Sequence, residues 1–192
     1  NLDFQVINLG SKTLLAFHGW YDYSYSDETL DKILKRKKQL WFDRRLKRLG
    51  TDPDICQTSL KRLDNVLGEL DTSNLIVAMH FVPHSRFTMT HQRFAPFNAY
   101  LGSEKFHQIF AKHGVKDVVF GHAHRSYGTV TIDGVTYHSR PLGYRREWDL
   151  TIDFVSKHPE LNPTGTWNLS KRYNLVKKRP EFLEYEKKET GK

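Results

Sequence analysis

Leu75-Ile76-Val77-Ala78-Met79 is apolar at consecutive positions and is closed by His80. A strand with one face in water alternates apolar with polar residues, so an unbroken run predicts a strand covered on both faces of a parallel sheet. A helix opening at Ser103, running through His113 and stopped by Gly114 follows, and then Val115 to Phe120 forms a second apolar strand. Strand, helix, strand is the unit that builds a parallel sheet with a right-handed crossover. The fold class is therefore α/β.

The flanking segments extend this unit. Phe4 to Asn8 and Thr13 to His18 read as short strands joined by a Leu9-Gly10-Ser11-Lys12 turn. After the aromatic stretch Gly19 to Tyr25, Ser26 predicts the cap of a helix that carries Leu30, Ile33, Leu34, Trp41, Leu46 and Leu49 and ends at Gly50. Leu60, Leu63, Val66, Leu67 and Leu70 recur at helical spacing after Asp52-Pro53-Asp54. Asp133-Gly134 between two β-prone runs is a hairpin signal, and Leu150 to Val155 is expected to be a last strand. Residues 1–155 are read as one domain portion and 156–192 as a polar, basic tail.

At 192 residues the chain can bury a core without cross-links, and its one cysteine, Cys56, excludes an internal disulfide. A single thiol points to a reducing cytoplasm. No apolar run reaches the roughly 20 residues of a membrane span. The net charge of +8 is concentrated. Residues 30–49 hold nine Lys or Arg against two Asp, and residues 171–192 hold eight against four Glu, which leaves the body slightly acidic. Polycation binding by the whole surface is thereby excluded, and nucleic acid or an acidic membrane surface would have to use the 30–49 helix or the tail.

The chemistry lies in the histidines. His122 and His124, two apart at the end of a strand, would face the same way, and His80 ends the neighbouring strand. Ligands of open α/β sheets collect beyond the carboxyl ends of the strands, so the three converge on one rim. Neutral imidazoles with oxygen donors suit manganese, iron or zinc. The competing reading for each is a loop histidine satisfied by hydrogen bonds. His84 and Arg125 flank these positions and are candidates to touch a substrate phosphate. His18, His91, His107, His113, His138 and His158 have no evident partner, and His107 and His113 read as surface residues of a short helix. Trp20, Tyr21 and Tyr23 read as core or rim packing rather than a base-stacking platform.

Leu75 to His80 followed by Phe81-Val82-Pro83-His84, with Asp117 to Phe120 running into Gly121-His122-Ala123-His124, resembles the C-terminal half of a calcineurin-like metallophosphoesterase. The resemblance implies a layered α/β/β/α sandwich, incomplete at the N-terminus, and a hydrolase that cleaves a phosphate ester with a metal-activated water at a dinuclear site. It implies His80 and His122 on one metal and His124 on the other. The family's Asp-x-His, Gly-Asp and Gly-Asn-His motifs are absent from this sequence. The catalytic residues are accordingly expected in a missing N-terminal part, with two divalent ions in the complete protein, at most one held weakly by this chain, and no activity from this chain alone. A sheet cut there is expected to expose apolar surface and self-associate. The alternative is a non-catalytic module binding nucleic acid or a partner through the basic 30–49 helix; a solvated outer helix is the plainer reading of that segment.

Overall fold

The computed structural model describes residues 3–125, 127–139, 144–161, 173 and 176–191. Two compact units are present, Asn1–Arg140 and Pro141–Lys192.

The first unit opens with a hairpin. Gln5–Asn8 (β1) and Thr13–Phe17 (β2) pair antiparallel through a turn in which Leu9 N–H donates to the Lys12 carbonyl at 2.8 Å and Gly10 has a φ of +81°. β2 pairs in parallel with Leu75–Met79 (β3), and β3 with Asp117–Phe120 (β4). A second hairpin, Gly128–Ile132 (β5) and Val135–Ser139 (β6), closes the other side, with β6 parallel to β4. The order is β1-β2-β3-β4-β6-β5. The Asp133-Gly134 turn has positive φ at both residues, +47° and +78°, as a two-residue hairpin turn requires.

The register aligns Leu15, Val77, Val118 and Tyr137 on one face, all fully buried. Asp52–Glu69 (α2) and Lys105–Lys112 (α3) lie in successive crossovers that advance in one direction, so right-handed connections place both helices on that face. Leu60, Leu63 and Leu67 of α2 and Phe106 and Phe110 of α3 join the same core. Ile76, Ala78, Leu14 and Val119 take the opposite face and are half-buried. The expectation that Leu75 to Met79 is covered on both faces is therefore corrected: burial alternates along a strand whose sequence does not. A six-stranded sheet with flanking helices confirms the α/β class, and the second sheet of an α/β/β/α sandwich is not among the described residues.

The expected basic helix is shorter than residues 30–49. It spans Leu30–Leu40 (α1), is capped at Thr29 rather than Ser26, and gives way to a 3-10 turn at Phe42–Arg45. Trp41 between them is extended because its indole stacks 4.9 Å from the Tyr100 ring and donates to Asp43 Oδ2 at 2.7 Å, which draws the chain out of the helix. The aromatic stretch is core: Trp20, Tyr21 and Tyr23 are buried. Buried Asp52 accepts from Trp20 Nε1 at 2.9 Å, from the Tyr23 hydroxyl and from Lys37 Nζ, so its charge is compensated where an unpaired one would be costly. Those contacts tie α1, α2 and the aromatic loop together.

In the second unit the expected strand at Leu150 to Val155 is instead part of a helix, Arg145–Lys157 (α4). Glu147 Oε2 accepts from Tyr144 N–H at 3.1 Å at its N-terminus, and Thr151, Phe154 and Val155 recur at helical spacing to bury one side. The 155/156 boundary read from the sequence falls inside this helix. Part of the polar, basic tail is a helix at Pro180–Thr190 (α5), whose Phe182 joins a small core with Phe154, Val155 and Val176. Among the described residues no helix is long and apolar enough to cross a membrane.

Candidate functional site

His18 follows β2 and His80 follows β3 directly, and His122 follows β4 after Gly121. The parallel register sets Phe17 beside Met79 and Met79 beside Phe120, so all three leave the sheet at its carboxyl edge. The backbone ties them: the His18 carbonyl accepts from His80 N–H at 3.2 Å, and the His80 carbonyl from Gly121 N–H at 3.3 Å. The rings meet as well, with centroids 5.5 Å apart for His18 and His80 and 4.6 Å for His80 and His122. Phe81 closes the floor, its ring 4.5 Å from that of His122.

The His80 and His122 imidazoles stay uncharged at neutral pH. Desolvation among the aromatic rings, then repulsion from His18, brings His80 down to about 4, although one side of the residue faces solvent. Burial, then His80, brings His122 down to about 3. The Tyr100 carbonyl lies 3.1 Å from His122 Nε2 and can only accept, so Nε2 carries the proton and Nδ1 keeps a lone pair.

The remaining predicted residues are less tightly gathered. Gly121 to His124 is a tight turn rather than the end of a strand: His122 and His124 have φ of +59° and +50°, and the two-residue alternation expected of them does not apply. Left-handed backbone at a residue with a Cβ costs roughly 1–2 kcal/mol, so the packing around this turn must hold it. His124 is exposed, close enough for its charge to lower both His80 and His122. Arg125 is exposed beside it, its guanidinium 5.2 Å from the Tyr127 ring centroid. His84 lies elsewhere, with Nδ1 accepting Arg86 N–H at 3.0 Å and Nε2 3.0 Å from Glu104, so both ring nitrogens are engaged within the protein.

The residue missed from sequence is His18. Its signal was its place directly after a strand, the same place as His80, but only the sheet order shows that the two strands are neighbours. His107 and His113 are also corrected. His107 is buried between the Tyr137 hydroxyl at 2.7 Å and Asp133 at 3.1 Å, and His113 pairs with Asp64 at 2.7 Å. The two ends of the long Phe81 to Leu101 loop are core, with Phe81, Val82, Ala99, Tyr100 and Leu101 buried, as is Phe87, while residues 90–94 are exposed.

Uncharged nitrogen donors suit a divalent transition metal in type, but not in number and arrangement. Among the described residues no group of three or more His, Cys, Asp or Glu is placed to hold a metal ion. The donors present therefore do not make a complete metal centre.

No protein-family model matches the chain, and no curated protein matches it. Among solved structures, the phosphopantetheinyl hydrolase PptH from Mycobacterium tuberculosis matches with a TM-score of 0.60 at 19% sequence identity, over 86% of this chain and 58% of that one. The likeness is one of fold. This chain spans little more than half the length of that hydrolase. The identification with calcineurin-like metallophosphoesterases is corrected on these findings, because no family model supports it and the matching structure is a phosphopantetheinyl hydrolase. The physical reason is that the resemblance rested on a few histidines at strand ends, where any parallel sheet gathers its polar residues.

Proposed function

We propose that this chain contributes part of the site of a hydrolase that cleaves a phosphate ester, with His18, His80 and His122 as its nitrogen donors. The supporting observation is the contact of these three imidazoles at the carboxyl edge of β2, β3 and β4. The neutral state of His80 and His122 suits them to donate lone pairs, and the exposed guanidinium of Arg125 suits a phosphate oxygen arriving from solvent. In the reaction a water oxygen bonds to phosphorus, the ester oxygen leaves, and the water's proton ends on the departing alcohol. The name of PptH, a hydrolase of a phosphate-containing group, agrees with this reading. His84 serves as support for the neighbouring loop rather than as a substrate contact, since its nitrogens are occupied. With no complete metal centre among the described residues, this chain by itself holds at most one divalent ion, weakly, and is inactive alone.

The test is a manganese and zinc titration of the purified chain against a His80→Ala/His122→Ala variant, run beside an aryl phosphate assay. Weak binding lost in the variant, with no hydrolysis by either protein, is the expected result. Binding unchanged in the variant would overturn the donor assignment, and turnover by the chain alone would overturn its incompleteness.

A further inference from the structure

Residues 30–49 present the wrong side chains to water for a solvated helix. In α1 the inward positions are Ile33, Arg36 and Lys37: Ile33 is buried, Arg36 pairs with Glu28 and donates to the Pro96 carbonyl, and Lys37 pairs with buried Asp52. Leu30 and Leu34 are left outside, 56% and 45% exposed, in one stripe with Lys38 at four-residue spacing. The pattern continues past the helix. Leu40, Phe42, Leu46 and Leu49 are all exposed, Phe42 at 70% and Leu49 at 98%. Half of the strongly exposed large apolar side chains among the described residues thus fall within these 20 positions. Interleaved with them are Lys35, Lys38 and Lys47, which form no ion pair among the described residues, and exposed Arg44 and Arg45.

We propose that this segment is a docking surface for an anionic lipid bilayer. A polybasic surface is attracted to acidic headgroups by about 1 kcal/mol per Lys or Arg. Exposed leucine and phenylalanine among those cations gain by entering the boundary between headgroups and acyl chains, as on an interfacial amphipathic helix. Charge decides against a second copy of this chain, because an isologous contact would bring two strongly positive segments together. The aliphatic side chains decide against nucleic acid, whose phosphates reward the cations and leave the leucines in water.

The test is co-sedimentation of the full chain with phosphatidylcholine vesicles, with and without one-third phosphatidylglycerol, at physiological ionic strength. Leu34→Ser/Phe42→Ser and Lys35→Glu/Lys38→Glu variants are compared after thermal melts confirm that both fold like the wild type. The expected result is binding to the anionic vesicles alone, weakened at least about tenfold in each variant. The proposal is overturned by failure to bind anionic vesicles, by equal binding to neutral ones, or by binding that the apolar variant leaves intact. It is also overturned if the segment instead forms a dimer that the apolar variant dissolves, or binds duplex DNA more tightly than the anionic vesicles.

Discussion

Two groups of histidines flank the carboxyl end of β3, and their surroundings are opposite. His84 and His107 lie with ring centroids 4.6 Å apart, and each is held at both nitrogens: His84 by Arg86 N–H and Glu104, His107 by the Tyr137 hydroxyl and Asp133. Among the described residues His18, His80 and His122 form no ion pair with a carboxylate and instead crowd one another. A carboxylate partner fixes a histidine's tautomer and turns it into a strut. Without one, the ring can offer its lone pair to something else, and burial first, then the neighbouring imidazoles, hold His80 and His122 neutral. His113 with Asp64 and His138 with Asp117 belong to the first kind.

The sharpest way to break this contrast is to disturb the link between the two groups. Val82 and Gly102 form a parallel bridge that joins the end of β3 to the segment carrying Glu104, and a Cβ at Gly102 would lie 1.9 Å from the Val82 carbonyl oxygen. Gly102→Ala should cost about 3 kcal/mol or more by denaturant unfolding; a loss below about 1 kcal/mol would mean that the bridge does not connect them. His107→Ala comes next, at about 2–3 kcal/mol, because it leaves the buried Tyr137 hydroxyl unpaired and opens a cavity. A near-neutral result would remove His107 from the structural group.

Acid should act through the unpaired group. His80 and His122 resist protonation in the folded chain, at about 4 and about 3, whereas the unfolded chain takes up protons near 6.5. Unfolding then binds protons, so metal-free chain should be most stable above pH 6.5 and lose stability as pH falls through 6.5 toward 3. His122→Asn should flatten that slope by on the order of 1 kcal/mol per pH unit, and an unchanged slope would place the acid sensitivity elsewhere. The smallest effect is expected at His138→Ala. Its pair with Asp117 is solvent-facing, so unfolding should shift by no more than about 0.5 kcal/mol.

Much of the frame was legible because it depends on neighbours in sequence. The β1–β2 turn, the Asp133-Gly134 hairpin and the leucine spacing of α2 each express a local rule, and each stands where it was expected. Local rules failed where a distant side chain intervened. Trp41 leaves the helix because Tyr100, far along the chain, stacks on it, and Leu150 to Val155 is helical because Phe154 packs against Phe182.

For the site the same division holds. The sequence by itself determined that His80 and His122 would follow adjacent strands of a parallel unit, since strand, helix and strand follow in order and the crossover has one hand. Only the tertiary structure decided that His18 joins them and that His107 does not lie on the surface. His18 depends on β2 lying beside β3, and His107 on Tyr137 and Asp133 arriving from the last hairpin. A histidine's chemistry is set by what its two nitrogens and its ring faces meet, and those partners come from parts of the chain that no local pattern connects.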